Sequence, residues 1–139
     1  MRLKAVHVAA LAILGLTAIP LVSARPAHRL QAIAQLGLQA EKVTCQYCHL
    51  NATGRAPWNA FGDNVRAEWN GAGNKVFADA LYLALKARKD SDGDGYDDVL
   101  EVVAWTQPGN KDSVPNIPKD TLEAELKAWG GVDRFKAKK

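Results

Sequence analysis

Two cysteines and a histidine stand together in the run Cys45-Gln46-Tyr47-Cys48-His49. Two thiols at this spacing can add to the two vinyl groups of a haem as thioethers, because one helical turn brings both to the same edge of the ring. The next residue, His49, then projects under the iron as the proximal ligand. The spacing therefore predicts one covalently attached haem of the c type.

Three other roles stay open for the cysteine pair. A thioredoxin-like redox pair belongs beside a βαβ pattern, and the sequence shows none. A structural zinc site needs four ligands, and beyond the first two dozen residues the remaining nitrogen donor of this type is His28. A short-range disulfide between Cys45 and Cys48 is the third alternative.

The acidic run from Asp90 to Glu101 is the second set of residues with a chemical pattern. It fits the twelve-residue EF-hand calcium loop at every required position, including the glycine at position six. The predicted ligands are the side chains of Asp90, Asp92, Asp94 and Glu101, the backbone carbonyl of Tyr96, and Asp98 either directly or through water. Hard oxygen donors in this number favour one Ca²⁺ ion. The alternative is a solvated acidic turn.

The acidic loop holds a large part of the negative charge of the chain. The 139 residues include 18 Lys+Arg and 15 Asp+Glu, and the resulting charge of +3 is too small for a nucleic-acid binder. Without residues 1–24, sixteen basic and fifteen acidic residues are left, and six of the acids lie in the loop. The rest of that chain therefore carries +7, which favours an acidic redox partner. The loop itself needs a cation, since its carboxylates repel one another.

Residues 1–24 have the pattern of an export signal. A basic start at Arg2 and Lys4 precedes an apolar run from Val6 to Val22, and small residues follow up to Ala24. We expect cleavage after Ala24 and a periplasmic or secreted protein. The alternative is a retained membrane anchor, since the run is about long enough to span a bilayer. Haem is attached covalently outside the cytoplasm, and so the signal supports the cysteine motif independently.

The sequence does not identify the sixth iron ligand. The cleaved chain has no methionine, because the single one is Met1. His28 is the other histidine and hence a candidate ligand, and two histidine ligands would give a lower reduction potential than a histidine with a methionine. A lysine, the new terminal amine, Asn59 or an open site are the alternatives.

Hydrophobic spacing predicts an all-α fold, and no segment alternates as a strand does. The predicted helices run from Ala27 to Leu38, Pro57 to Trp69, Lys75 to Lys89, Asp98 to Trp105 and Asp120 to Trp129. The last helix has a plausible capping pair in Asp120 and Glu123, and the basic tail after it is expected to be frayed. The expected organisation is a haem-binding helical region over 25–89, a calcium loop and linker over 90–117, and a C-terminal helix and tail over 118–139.

Around the cysteine motif the chain resembles small exported bacterial c-type cytochromes. The resemblance rests on Cys45–His49, Gly54, Asn59-Ala60-Phe61-Gly62 and Asn70-Gly71. It implies a cytochrome c-like helical domain in which Trp58, Phe61 and Trp69 bind the haem as walls of its pocket. An ordinary role of these aromatic residues in the helix core is the alternative.

Residues 90–115 are similar to the thrombospondin type 3-like calcium repeat of exported bacterial proteins. The match extends past the loop to Thr106-Gln107-Pro108 and Ser113-Val114-Pro115. Trp105 stands where a glycine is often found, and so we expect a different local turn there. A single unpaired loop in an exported chain favours a structural ion.

Together these patterns predict an exported monohaem cytochrome that carries single electrons and is not an enzyme. Two alternatives stay open. One is a haem enzyme or a gas or peroxide sensor with an open sixth position, and the other is a calcium-dependent surface or assembly module. The expected partner is a redox protein, with no nucleic acid, and with a membrane only if the signal segment is retained.

Overall fold

The computed structural model describes residues 26–71 and 75–138, and within these ranges the protein is all-α, as predicted. The helices are α1 (Pro26–Leu36), α2 (Ala60–Gly71), α3 (Phe77–Lys86), α4 (Asp98–Ala104) and α5 (Lys119–Ala128). Short 3-10 turns span Cys45–Tyr47 and Val132–Phe135. None of the helices in these ranges combines the length and the apolarity needed to cross a bilayer. The predicted export signal lies outside the described residues.

Helix α3 lies at the centre of the core. Its residues Ala80, Leu81 and Leu85 are at most 1% exposed, because their spacing of one and four positions places them on one helical face. The helix packs mainly against α2 and also contacts α1, α4 and the Val132–Phe135 turn. These contacts join the cysteine-containing half of the chain to the half that contains the acidic loop.

Helix α2 begins later than the sequence suggests, and the prediction that Pro57 starts it is wrong. Leu50 N–H donates to Pro57 O at 3.0 Å, and His49 and Trp58 form an antiparallel bridge, which holds Pro57 and Trp58 in an extended segment. Asn59 then caps the helix, because its Oδ1 accepts a hydrogen bond from Gly62 N–H at 2.8 Å.

The C-terminal part differs from prediction in two respects. Helix α5 follows Pro118 without a side-chain cap, and Glu123 pairs with Arg88, so the predicted cap of Asp120 and Glu123 does not form. The predicted fraying is also wrong as far as Phe135, which is 1% exposed in the core and whose carbonyl accepts a hydrogen bond from Gln35.

Helix α4 ends in a left-handed residue. Trp105 has φ 63° and ψ 28°, a conformation that glycine adopts more easily. The tryptophan therefore has a backbone conformation typical of glycine. The turn allows Thr106 N–H to donate to Glu101 O at 2.9 Å.

Candidate functional site

The two cysteines lie on one tight turn. The backbone N–H groups of Cys48 and His49 both donate to Cys45 O, at 3.3 and 3.0 Å, and close this turn. Both cysteines are free thiols and line the same cavity. Burial raises the pKa of the Cys48 thiol to about 12, so the thiol is protonated at neutral pH. Gly54 packs against Cys45, where an added Cβ would lie 3.3 Å from Sγ.

A hydrogen bond determines which nitrogen of the His49 ring carries the proton. Its Nδ1 lies 3.2 Å from Arg55 O, and because a carbonyl can only accept, Nδ1 is the donor. In the neutral ring Nε2 then carries the lone pair that a metal ion requires. Partial burial lowers the pKa of His49, although the bond to Arg55 opposes this effect, so the neutral form is favoured. The Trp58 ring lies 4.0 Å away between centroids and restricts the position of the imidazole.

A cavity of about 590 Å³ connects these groups. Its volume lies in the range of sites that hold a cofactor. The functional side chains in its wall are those of Cys45, Cys48, His49, His28, Arg29, Trp58, Arg66, Trp69 and Phe77. The structure therefore brings together both predicted thiols, both predicted histidines and the predicted Trp58 and Trp69 walls.

Phe61 is the exception among the predicted pocket residues. It is 0% exposed in the core and does not line the cavity. Its ring meets that of Tyr47 edge-on, with 5.8 Å between centroids. Phe61 thus packs against the side of the cysteine turn that faces the core, because α2 points this position inward. Phe77 of α3 supplies an aromatic wall of the cavity that the sequence did not indicate.

His28 lies on α1, in the wall of the cavity. Its ring stacks on Phe77 at 4.5 Å and 11°, and the Trp69 ring is 5.3 Å away. The neighbouring Arg29 donates to Val43 O at 2.6 Å and to Ala40 O at 2.5 Å. These contacts hold α1 against the segment that leads into Cys45.

Asn59, named above as one alternative for the sixth iron ligand, supports the cysteine turn. Its side chain is 4% exposed, and its Nδ2 donates to Gln46 O at 2.9 Å and to Tyr47 O at 3.2 Å. Gly62 lies so close to the same turn that an added Cβ would be 1.9 Å from Cys48 O. The pattern Asn-x-Phe-Gly therefore has a physical reason, since all three of its specified residues support the cysteine turn.

The acidic loop forms a cluster of carboxylates around Asp90, Asp92 and Asp94. One oxygen from each lies within 4.8 Å of the others. Backbone N–H groups of Gly93 and Gly95, both with positive φ, donate to Asp90 at 2.8 and 2.9 Å. Oδ2 of Asp92 and Oδ2 of Asp94 are buried and have no hydrogen-bond partner. Buried unpaired carboxylate oxygens are costly unless a cation or water satisfies them.

Glu101 adds a third unsatisfied oxygen. The residue is 0% exposed, its Oε2 has no hydrogen-bond partner, and Oε1 accepts from Thr106 at 3.4 Å. Burial, together with the charges of Asp92 and Asp94, raises the pKa of Glu101 to about 9. Asp90, Asp92 and Asp94 thus form the convergent part of a site, and the buried Glu101 carboxyl interacts with it through the charges of Asp92 and Asp94. Oxygen donors of this kind fit a Ca²⁺ ion.

The side chains of Asp98 and Tyr96 also form hydrogen bonds that hold the loop and the linker after it. Both carboxylate oxygens of Asp98 accept hydrogen bonds from Ser91, from N–H at 2.9 Å and from Oγ–H at 2.6 Å. The Asp98 carboxylate thus closes the loop, and the prediction that it binds the ion directly or through water stays a prediction. Burial raises the pKa of Asp98 to about 7. The Tyr96 hydroxyl donates to Ile117 O at 3.1 Å and fixes the linker.

No protein-family model, curated protein or solved structure matches the chain.

Proposed function

We propose that the protein is an exported monohaem c-type cytochrome that transfers single electrons and contains one structural Ca²⁺ ion. The observation that carries the proposal is the arrangement around the 590 Å³ cavity. Two free thiols and an imidazole with Nε2 available lie in its wall on one tight turn. No catalysed reaction is assigned to the protein.

The residues in the cavity fit a haem. The Cys45 and Cys48 thiols would hold it by thioether bonds. Each bond would result from addition of S–H across a vinyl C=C, which requires no oxidant or reductant. His49 Nε2 would bind the iron, which supplies the one-electron redox chemistry. Trp58 and the other aromatic walls exclude water, and Arg29 and Arg66 provide positive charge suited to the carboxylates of the ring.

His28 is the candidate for the sixth ligand. In the described ranges, the imidazoles of the cavity wall belong to His49 and His28. The fixed position of α1 supports this role, since Arg29 ties the helix to Val43 O. Two histidine ligands would give a lower reduction potential than a histidine and a methionine.

The acidic loop supports the second part of the proposal. Three buried carboxylate oxygens without partners on Asp92, Asp94 and Glu101 would be neutralised by Ca²⁺. The double charge of the cation would offset part of the charge of the six loop acids, and the +7 on the rest of the chain after residue 24 favours an acidic redox partner. We place the protein in the periplasm or outside the cell on the strength of the signal pattern in residues 1–24.

Absorption and magnetic circular dichroism spectra of the purified holoprotein test the redox function. Ferric and ferrous samples are measured with and without carbon monoxide. An electron carrier with two axial ligands gives low-spin spectra that carbon monoxide does not change. A high-spin spectrum or immediate binding of carbon monoxide would instead favour a haem enzyme or sensor with an open sixth position. A protein without haem that binds Ca²⁺ would favour a surface or assembly module.

A further inference from the structure

The chain that follows the acidic loop contacts the cysteine turn through Asn59. The backbone carbonyl of Glu101 accepts the N–H of Thr106 at 2.9 Å, and α4 ends in a turn that leads to Gly109. Gly109 packs directly on Asn59, where an added Cβ would lie 2.4 Å from Cγ. The backbone of Glu101, the residue that would close the calcium site, therefore holds the start of the 106–109 segment that packs on Asn59.

Asn59 in turn forms hydrogen bonds to the cysteine turn. Its Nδ2 donates to Gln46 O and to Tyr47 O. Its backbone N–H donates to Cys48 O at 3.1 Å. A shift of Asn59 would break bonds to three consecutive residues of the turn that carries both thiols and His49.

A second path runs from the loop to α2. Ser91 Oγ–H donates to Asp98 at 2.6 Å, and Asn64 Nδ2–H of α2 donates to Ser91 Oγ at 2.7 Å. Gly62 of the same helix lies against Cys48 O. The loop thus contacts the cysteine turn from two directions, through the segment behind it and through the helix beside it.

We propose that Ca²⁺ binding in the Asp90–Glu101 loop fixes the Cys45–His49 turn through Asn59 and Asn64, so that the cation regulates the order of the haem site. The inference rests on the proposed function and specifies how its two sites are connected. Without a cation, the carboxylates repel and the loop loosens. The contacts of Gly109 and Ser91 then loosen with it, and the turn gains freedom of movement.

Hydrogen exchange of the haem-loaded protein in excess Ca²⁺ and in a calcium chelator tests the proposal. The informative amides are those of Cys48, His49 and Asn59, which donate into the turn. We expect exchange at these amides to be at least about tenfold faster in chelator, because the turn then opens locally. The haem absorption spectrum recorded on the same samples should shift on chelation.

Variants of the two paths separate a specific connection from general destabilisation. Asn64→Ala removes the bond to Ser91, and Gly109→Ala forces Asn59 away; neither residue holds the ion. With both changes, calorimetry should still show Ca²⁺ binding, whereas the turn amides should no longer respond to it. The matched controls are Asn116→Ala, at an exposed position, and Gly71→Ala, where an added Cβ meets nothing within 4 Å.

The outcomes distinguish this inference from the proposed function. If the wild-type protein contains no haem, the proposed function fails. If it contains haem, and Ca²⁺ protects the amides of the loop but leaves those of Cys48 and His49 unchanged, only the connection between the sites is overturned. Failure of the loop to bind Ca²⁺ overturns both this inference and the calcium part of the proposed function. A double variant whose turn amides respond like the wild type overturns this inference alone.

Discussion

Replacement of Glu101 by glutamine should abolish the stabilisation of the protein by calcium. Glu101 Oε2 is buried without a partner and faces the charges of Asp92 and Asp94. Glutamine has nearly the same shape but removes the charge that closes the site. In chelator, Glu101→Gln should therefore be at least as stable as the wild type, because a buried unpaired acid is gone.

The size of the calcium effect follows from the affinity expected of an extracellular loop. A dissociation constant of about 10⁻⁴ to 10⁻³ M and about 10 mM Ca²⁺ give about 1.4 to 2.7 kcal/mol of stabilisation. For a domain of this size, this free energy raises the melting temperature by about 6 to 11 °C. We expect a shift in this range for the wild type and no shift for Glu101→Gln.

Differential scanning calorimetry in Ca²⁺ and in chelator measures both quantities. The matched control is Glu41→Gln, which removes the same charge from an exposed position between α1 and the cysteine turn. It should keep the full wild-type shift. A wild-type melting temperature that does not respond to chelation, or a Glu101→Gln protein that keeps the shift, would refute the assignment of Glu101 as the closing ligand.

Three further predictions concern pH, packing and the iron. In chelator, the Glu101 carboxyl has a pKa of about 9 in the folded protein, compared with about 4.5 in the unfolded chain. Between these values the folded protein binds more protons than the unfolded chain, so the melting temperature should fall from pH 5 to pH 8. The fall should be smaller in Glu101→Gln, and equal slopes would contradict the burial of this acid. Gly62→Ala places a Cβ 1.9 Å from Cys48 O and should lower the free energy of unfolding by about 3 kcal/mol. Gly71→Ala, the control, should change it by less than about 1 kcal/mol. Urea denaturation measures both free energies, and similar values would contradict the close packing at Gly62. His28→Ala should convert the low-spin spectrum to high spin and admit carbon monoxide, and an unchanged spectrum would exclude His28 as a ligand.

Local features of the sequence predict the elements that carry the two sites. Spacings of three and four residues indicate the helices, and the burial of Leu81 and Leu85 confirms the apolar face of α3. The EF-hand pattern predicts the convergence of Asp90, Asp92 and Asp94, because glycines with positive φ turn the chain within a few residues. These predictions succeed where the interacting residues are close in the chain.

The predictions that fail depend on contacts between distant segments. The extended pairing of His49 with Trp58 delays the start of α2, and the burial of Phe61 against Tyr47 removes it from the cavity wall. The contact of Gly109 with Asn59 joins residues fifty positions apart and leaves no periodic signal in the sequence. The connection between the acidic loop and the cysteine turn is therefore visible only in the folded chain.

Covalent attachment of haem to the cysteine turn can be measured on the denatured polypeptide. The protein is produced in a bacterial host that exports and matures c-type cytochromes, unfolded, and extracted with acidified organic solvent. We predict that haem absorbance stays with the wild-type chain and is lost when Cys45 and Cys48 are both replaced by alanine. Complete extraction of haem from the wild-type chain, or a wild-type chain without haem, would contradict the assignment.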